Sequence, residues 1–423
     1  MAEAASATIT MKFIIFIMLL FTCATSTMSG TDIEFEPKKK ELHRELMIVP
    51  QKIIFWTTFG DYLNRMDRFL YDMIDAGLHM NEIAVTVWGP GWPGWNKTIS
   101  TNENIIRKFG YGGNNFDEPY FDIAVSVSFS EGFHIEDPKQ KTVYLFETGD
   151  CHTMKTRSCI DDVPQNAQII TSLNGHELLA IFNPQPPQLS GAQRLFYHIS
   201  SCANPSLYHP RVNDYSERRK VFLIGAVWPM YPVRVAAEEA IRLGMINNGK
   251  VKNHPGYDVP HNSSVTPEDY NPKSMLTVVH RKQQSKYAYT LGTSRICIFD
   301  SSIIRKMIRK FVESAMSGCV IASDMPLEMW AELKPFMIEL PHNSTALQIA
   351  NIINLAQEDL PDLARRSAEG IKWATSSATC VHKIKTILSA VDAYRAGKRG
   401  YYFPHSVALD CYSTLDGFKP SWC

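Results

Sequence analysis

Residues Ser294–Pro326 read SRICIFDSSIIRKMIRKFVESAMSGCVIASDMP. Two short apolar runs, Ile296–Phe299 and Cys319–Ala322, flank a stretch of helical periodicity, Ile303–Ser317, that closes at Gly318. Ile304, Met307, Ile308, Phe311 and Ala315 share one helical face, and Ser301 or Ser302 stands where an N-cap belongs. Arg305, Arg309 and Glu313 follow at four-residue spacing on another face, with Lys306 and Lys310 beside them. A solvated charge ladder has the same pattern. The flanking strands point elsewhere: they put the start of the helix at a sheet edge, where α/β proteins bind ligands beyond the carboxyl ends of strands. Basic groups there suit a diphosphate, and a carboxylate further along suits ribose hydroxyls.

Outward from this segment the strand–helix alternation continues. Val221–Val227 (VFLIGAV) reads as a strand, WPMYP as a loop, and Val233–Leu243 as a helix. Ala346–Gln357, Leu363–Ser376 and His382–Ala396 also read as helices. Upstream, Lys52–Trp56, Ile83–Trp88, Phe121–Val127, Thr142–Phe146 and Gln168–Thr171 are β-rich runs, and Asp61–Ala76 has helical spacing with Gly77 as its C-cap. Short apolar strands separated by helices predict parallel sheets covered on both faces. The Pro-rich block Asn183–Ser190 interrupts the first series, and His209-Pro210 followed by NDYSERR marks a linker. Two α/β halves with a cleft between them are expected, at 48–212 and 218–398, with 399–423 a tail that packs back on the body.

The segment FVESAMSGCVIASDMP resembles the Glu-Ala-x-x-x-Gly donor-binding segment of group-one glycosyltransferases with the GT-B fold. With Arg305, Arg309-Lys310 and Glu313, it looks most like the spore-maturation-protein-like (CgeB-type) branch. Val221–Arg234 (VFLIGAVWPMYPVR) is similar to that branch's second-domain opening, and Phe196–Pro210, ending LYHP, to the closing turn of its first domain. The resemblance implies two Rossmann-like domains with parallel sheets facing a central cleft, and transfer of a sugar from a nucleotide-sugar donor. It implies that Glu313 binds the ribose, that Arg309, Lys310 and Arg234 meet the diphosphate, and that Gly225 lets backbone approach the ligand. Arg305 belongs to the same donor-binding set. It stands where retaining members often carry a second Glu, which leaves the stereochemistry open.

A leaving diphosphate needs positive charge, which Arg and Lys supply without a metal or cofactor. An inverting reaction needs a base from the first half. His152, in ETGDCHTMK, is the candidate, with Asp150 to orient it and Glu147 in reserve; His134 and His176 stay open. Two other readings carry the same features: a glycan-binding protein without catalysis, and a nucleotide-sugar epimerase.

Other motifs fail on context. Gly89–Gly94 (GPGWPG) matches G-x-G-x-x-G, but its prolines remove amide donors that a phosphate cradle uses. Its loop carries Trp88, Trp92 and Trp95, which stack on a sugar or simply pack. Gly244–Lys250 (GMINNGK) ends on Val251 where a P-loop has Ser/Thr. No G-x-S-x-G or H-E-x-x-H occurs.

Phe13–Phe21 (FIIFIMLLF), after Lys12 and before TCATSTMSG, has the layout of a secretory signal or short signal anchor over residues 1–30, with cleavage near Ser26. The body then folds in the ER/Golgi lumen or outside the cell, and membrane contact comes only through that segment. Removing Cys23 leaves eight of nine cysteines. Cys151/Cys159 and Cys411/Cys423 are near enough in sequence to pair; Cys297 and Cys319 read as core thiols. Sequons at Asn96, Asn262 and Asn343 fit a glycoprotein. The 423 residues, with 43 Lys+Arg against 43 Asp+Glu, lack the electrostatic footprint of a nucleic-acid binder. At 45% hydrophobic and 20% charged, the chain is no disordered polymer either.

Overall fold

A computed structural model describes residues 50–59, 68–109, 121–127, 141–148, 163–182, 193–252, 281–413, 417, 419–420 and 422–423. The signal segment, Cys151, Cys159, His134, Asp150 and His152 lie outside the described residues. Pro50–Cys423 form one compact unit.

Six apolar and aromatic segments pair in parallel: β1 (Gln51–Trp56), β2 (Ile83–Trp88), β3 (Ile123–Val127), β4 (Val143–Thr148), β5 (Ile169–Ser172) and β6 (Leu195–His198), in the order β6-β5-β4-β3-β1-β2. Ile53, Ile54, Ile123 and Ile169 are fully buried, as expected of strands covered on both faces. Helices α1 (Arg68–Leu78) and α2 (Thr101–Phe109) belong to this half. Gly77 is not a C-cap, because α1 runs on through Leu78. A Cβ there would stand 2.8 Å from Val85 Cγ2, so the glycine lets α1 approach β2. A Ser100–Glu103 capping box starts α2, with reciprocal bonds of 3.2 and 3.0 Å. The GPGWPG loop packs instead of presenting a platform. Trp88 and Trp95 meet Trp56 edge-on, and the Trp92 indole donates to the Thr57 carbonyl at 2.8 Å.

The second sheet contains β7 (Lys220–Ile224), β8 (Gly249–Lys252), β9 (Ser294–Ile298), β10 (Val320–Ser323) and β11 (Ile338–Glu339), parallel throughout and ordered β11-β10-β9-β7-β8. Around it run α3 (Pro232–Arg242), α4 (Arg281–Thr293), α5 (Lys310–Met316), α6 (Ala346–Glu358) and α7 (Leu360–Ser377). Side chains alternate between two cores, Cys297 and Ile321 on one face and Ile296, Ile298 and Val320 on the other. Helix α8 (Cys380–Arg395) then returns to the first half, where Ile384, Ile387 and Val391 join its core. Finally β12 (Gly400–Tyr402) adds to the first sheet beside β6.

The cysteine expectations need correcting. Cys297 and Cys319 are not core thiols: adjacent strands bring their Cα atoms to 5.8 Å and they form a disulfide. Cys202 and Cys380 form another. Cys411 and Cys423 are unbonded, exposed thiols, hydrogen-bonded to each other. No described helix is long and apolar enough to cross a membrane.

Candidate functional site

In the second sheet β7 lies between β8 and β9, so the chain leaves β7 toward one edge and returns on its other side. Such a switch point opens a crevice beyond the strand ends. Gly225 follows β7 there with φ +110°, a conformation that a side chain strains. A Cβ on Gly225 would stand 2.8 Å from Arg234 Nη1 and 3.1 Å from Lys310 Cε. Three residues picked from sequence, Gly225, Arg234 and Lys310, thus converge.

Arg234 is held from three sides. Its backbone N–H and Nε approach the Asp300 carboxylate at 3.2 and 3.1 Å. Nη2 donates to the Asp300 carbonyl at 3.3 Å and Nη1 to the Ala226 carbonyl at 3.1 Å, and the Tyr231 ring lies 3.8 Å from its Cζ. Burial pushes Asp300 up to about 6 against the pull of Arg234. Burial, then the nearby Arg234, brings Lys310 down to about 7. Lys310 is therefore poised to take up a proton when an anion arrives.

Arg309 and Glu313 face another way. The Arg309 guanidinium bonds Asp72 of α1 and lies 2.8 Å from a Glu313 oxygen, and Tyr208 bonds Glu313. Burial pushes Asp72 up to about 6 even beside Arg309. The sequence reading put Arg309 and Lys310 together on a diphosphate. In the structure Lys310 serves the Gly225 crevice, while Arg309 and Glu313 join the second half to the first.

No family model and no curated protein matches the chain. Solved structures share its architecture. Sucrose-phosphate synthase from Thermosynechococcus elongatus matches with a TM-score of 0.51 at 10% identity, covering 82% of this chain and 100% of that one. A glycosyltransferase from Rickettsia africae gives 0.51 at 10% identity, over 83% and 100% of the two chains. Anabaena HepE in complex with UDP-glucose gives 0.50 at 13%, over 81% and 99%. The fold is GT-B.

Within this GT-B frame the donor segment departs from its expected helix. Only Lys310–Met316 is helical; residues 301–309 form an irregular loop. Ser301 does not cap a helix but gives its N–H and hydroxyl to Asp324, at 2.7 and 2.6 Å. Ser302 and Arg305 adopt positive φ, 66° and 52°, which breaks the helical path. Arg305 consequently leaves the face shared with Arg309. It bonds the Met325 carbonyl twice at 3.1 Å and Asp410 of the tail at 2.7 Å. Gly318 does close α5, with φ +69°.

Of the base candidates, Glu147 lies one residue before the end of β4 but is buried and ion-paired with Lys383 of α8 at 3.2 Å. His176, which follows β5, is fully buried with its imidazole and its N–H both on Glu328. The other Glu328 oxygen accepts from the Met307 N–H at 3.1 Å, so this carboxylate ties the first half to the 301–309 loop. Burial disfavours both charges, yet each outweighs that for its partner: His176 is held above its ordinary value and Glu328 below. Nothing in the spacing of His176 and Glu328, 152 residues apart, signalled this pair. Asp300 was equally missed; its only sequence cue is a position at a strand's carboxyl end. Among the described residues no group of three His, Cys, Asp or Glu side chains is arranged to hold a metal.

Proposed function

We propose that this protein is a glycosyltransferase, hexosyltransferase-like and nearest the spore-maturation-type branch, that moves a sugar from a nucleotide-sugar donor to an acceptor hydroxyl. The convergence of Gly225, Arg234 and Lys310 at the switch point of the second sheet carries this reading. Residues 203–379 supply the donor side, and the first sheet with the returning α8 supplies the acceptor side, so the expected bounds 48–212 and 218–398 shift to the places where the chain changes core. The donor diphosphate lies against Gly225, where no side chain intervenes, and Lys310 charges fully as it binds. Arg234, fixed by Asp300, adds a permanent charge behind it. Glu313 takes the ribose after exchanging Arg309 for the ligand, and Arg305 acts through the loop that it ties to the tail.

In the reaction the acceptor oxygen attacks the anomeric carbon, the bond to the diphosphate breaks, and the diphosphate leaves with the electron pair. The acceptor proton passes to a base, His152 oriented by Asp150; His176, buried and ion-paired with Glu328, is not placed to take it. No metal or cofactor enters this scheme, so a chelator should leave turnover unchanged. Two disulfides in the body support an oxidising compartment, and with the N-terminal signal-like segment favour the secretory pathway.

HepE, a structure of the same fold, was solved with UDP-glucose, so UDP and UDP-glucose are the first ligands to titrate. Calorimetry should show binding that strengthens as pH falls from about 8 through about 7, where Lys310 gains its proton. Lys310→Met should weaken it about 10–100-fold, the worth of one charge-assisted contact. Failure of a full panel of nucleoside diphosphates and nucleotide sugars to bind, or equal affinity in the variant, refutes the site. Conversion of the donor without an acceptor would instead identify an epimerase.

A further inference from the structure

The chain passes between the two halves twice, and the two passages touch. Going out, Ile199 and Cys202 belong to the core of the first half, whereas Ala203 and Tyr208 belong to that of the second. Coming back, Ala374 and Ala378 are in the second core, whereas Cys380 and Ile384 are in the first. The change of core therefore falls between 202 and 203 on one strand of chain and between 378 and 380 on the other.

At that point the passages run parallel. The Ala203 N–H donates to the Ala378 carbonyl at 3.1 Å, and Ala203 pairs with Thr379 in a lone parallel bridge. The Thr379 hydroxyl, in turn, caps α8 by accepting from the His382 N–H. Next to this bridge sits the disulfide Cys202–Cys380, with Cα atoms 4.9 Å apart and a sequence separation of 178. Both cysteines are buried, at 0% and 2% exposure. The bond thus lies on the boundary itself, and it closes residues 203–379, the whole second half, into one covalent loop.

We infer that Cys202–Cys380 is a hinge pin, which fixes the two passages to each other so that the halves turn about one axis and do not slide or splay. A lone bridge, of which the Ala203 to Ala378 hydrogen bond is part, holds two chain segments weakly and opens by local fluctuation. A covalent link beside them removes separation of the passages while leaving the φ and ψ angles at 203 and 379 able to rotate. Hinges are commonly a few residues at element ends, and here the cap of α8 is one of them. The inference does not depend on which ligand the cleft binds.

The test is hydrogen exchange on the full chain carrying Cys202→Ser with Cys380→Ser. Peptides covering 203–208 and 374–380 should exchange at least ten-fold faster than in the native chain, while those covering β4 and β9 stay unchanged. Unchanged exchange at both passages overturns the inference, as does a thiol map of the native protein with Cys202 and Cys380 unbonded. Should the serine pair fail to fold, Cys202→Ala with Cys380→Val fills the same apolar site. Faster exchange confined to the passages in that variant supports the pin, whereas slow exchange there, or failure to fold, marks the bond as a staple of the fold and overturns it.

Discussion

Replacing Glu328 with alanine is expected to cost about 3–5 kcal/mol of stability, the range for breaking a buried ion pair by removing one partner. His176 and Glu328 are both wholly shielded from water, so the imidazolium left behind has no solvent to turn to. The loss also strands two backbone donors, the His176 and Met307 N–H groups. Glu328→Gln keeps the volume and isolates the charge. Folding raises the His176 pKa above 6.5, so its contribution is complete below pH 6.5 and fades as pH rises through that raised value. Folding lowers the Glu328 pKa below 4.5, so its contribution is complete above pH 4.5 and fades as pH falls through that lowered value. The stability gap between native and Gln proteins should therefore be widest between these limits and narrow as pH rises through the raised His176 value. His198, which burial pushes down to about 4, favours the folded state as pH rises and gives an opposite slope, present in both proteins. Denaturant melts at several pH values check this. A flat gap would mean that the pair is not ionised.

The second large effect is expected at Gly225. Valine there must adopt φ near +110°, which costs about 1–3 kcal/mol, and its Cβ would overlap the Arg234 guanidinium at 2.8 Å. Arg234 cannot retreat without giving up Asp300, and Lys310 Cε stands 3.1 Å away as well. Gly225→Val should therefore abolish the UDP binding proposed above within the range of calorimetry, a loss of more than about 100-fold, or 2.7 kcal/mol. Circular dichroism should still show native helix content, because the distortion is local to one strand end. Retained binding would place the nucleotide elsewhere.

Much of this architecture was legible in the chain because it depends on composition. Runs such as VFLIG and CVIA, short, apolar and bounded by turn residues, read as buried strands, and Pro232, Gly318 and the flanking periodicity mark their helices. Segments whose pairing comes from neighbours were not. β8 is GKVK and β12 is GYY, edge strands with little apolar content whose partners recruit them. The 301–309 loop shows the converse. Its periodicity is helical, but Asp324 and Glu328, distant in sequence, claim its amides and hydroxyl and hold it open. The site was half legible for the same reason. Gly225, Arg234 and Lys310 lie beside recognisable strand ends. The partners that fix them, Asp300 for Arg234 and Asp72 for Arg309, are set by the fold.

The return of α8 and β12 to the first sheet has an implication for how the chain is made. Until residues 380–402 leave the ribosome, one edge of that sheet keeps the amides and carbonyls of β6 unpaired, and Ile384, Ile387 and Val391 have not yet covered its core. The segment that closes this sheet is thus made long after the strands it covers. A nascent polypeptide stopped before Cys380 should bind hydrophobic dyes and holdase chaperones, and release from them should coincide with the emergence of residues 380–402.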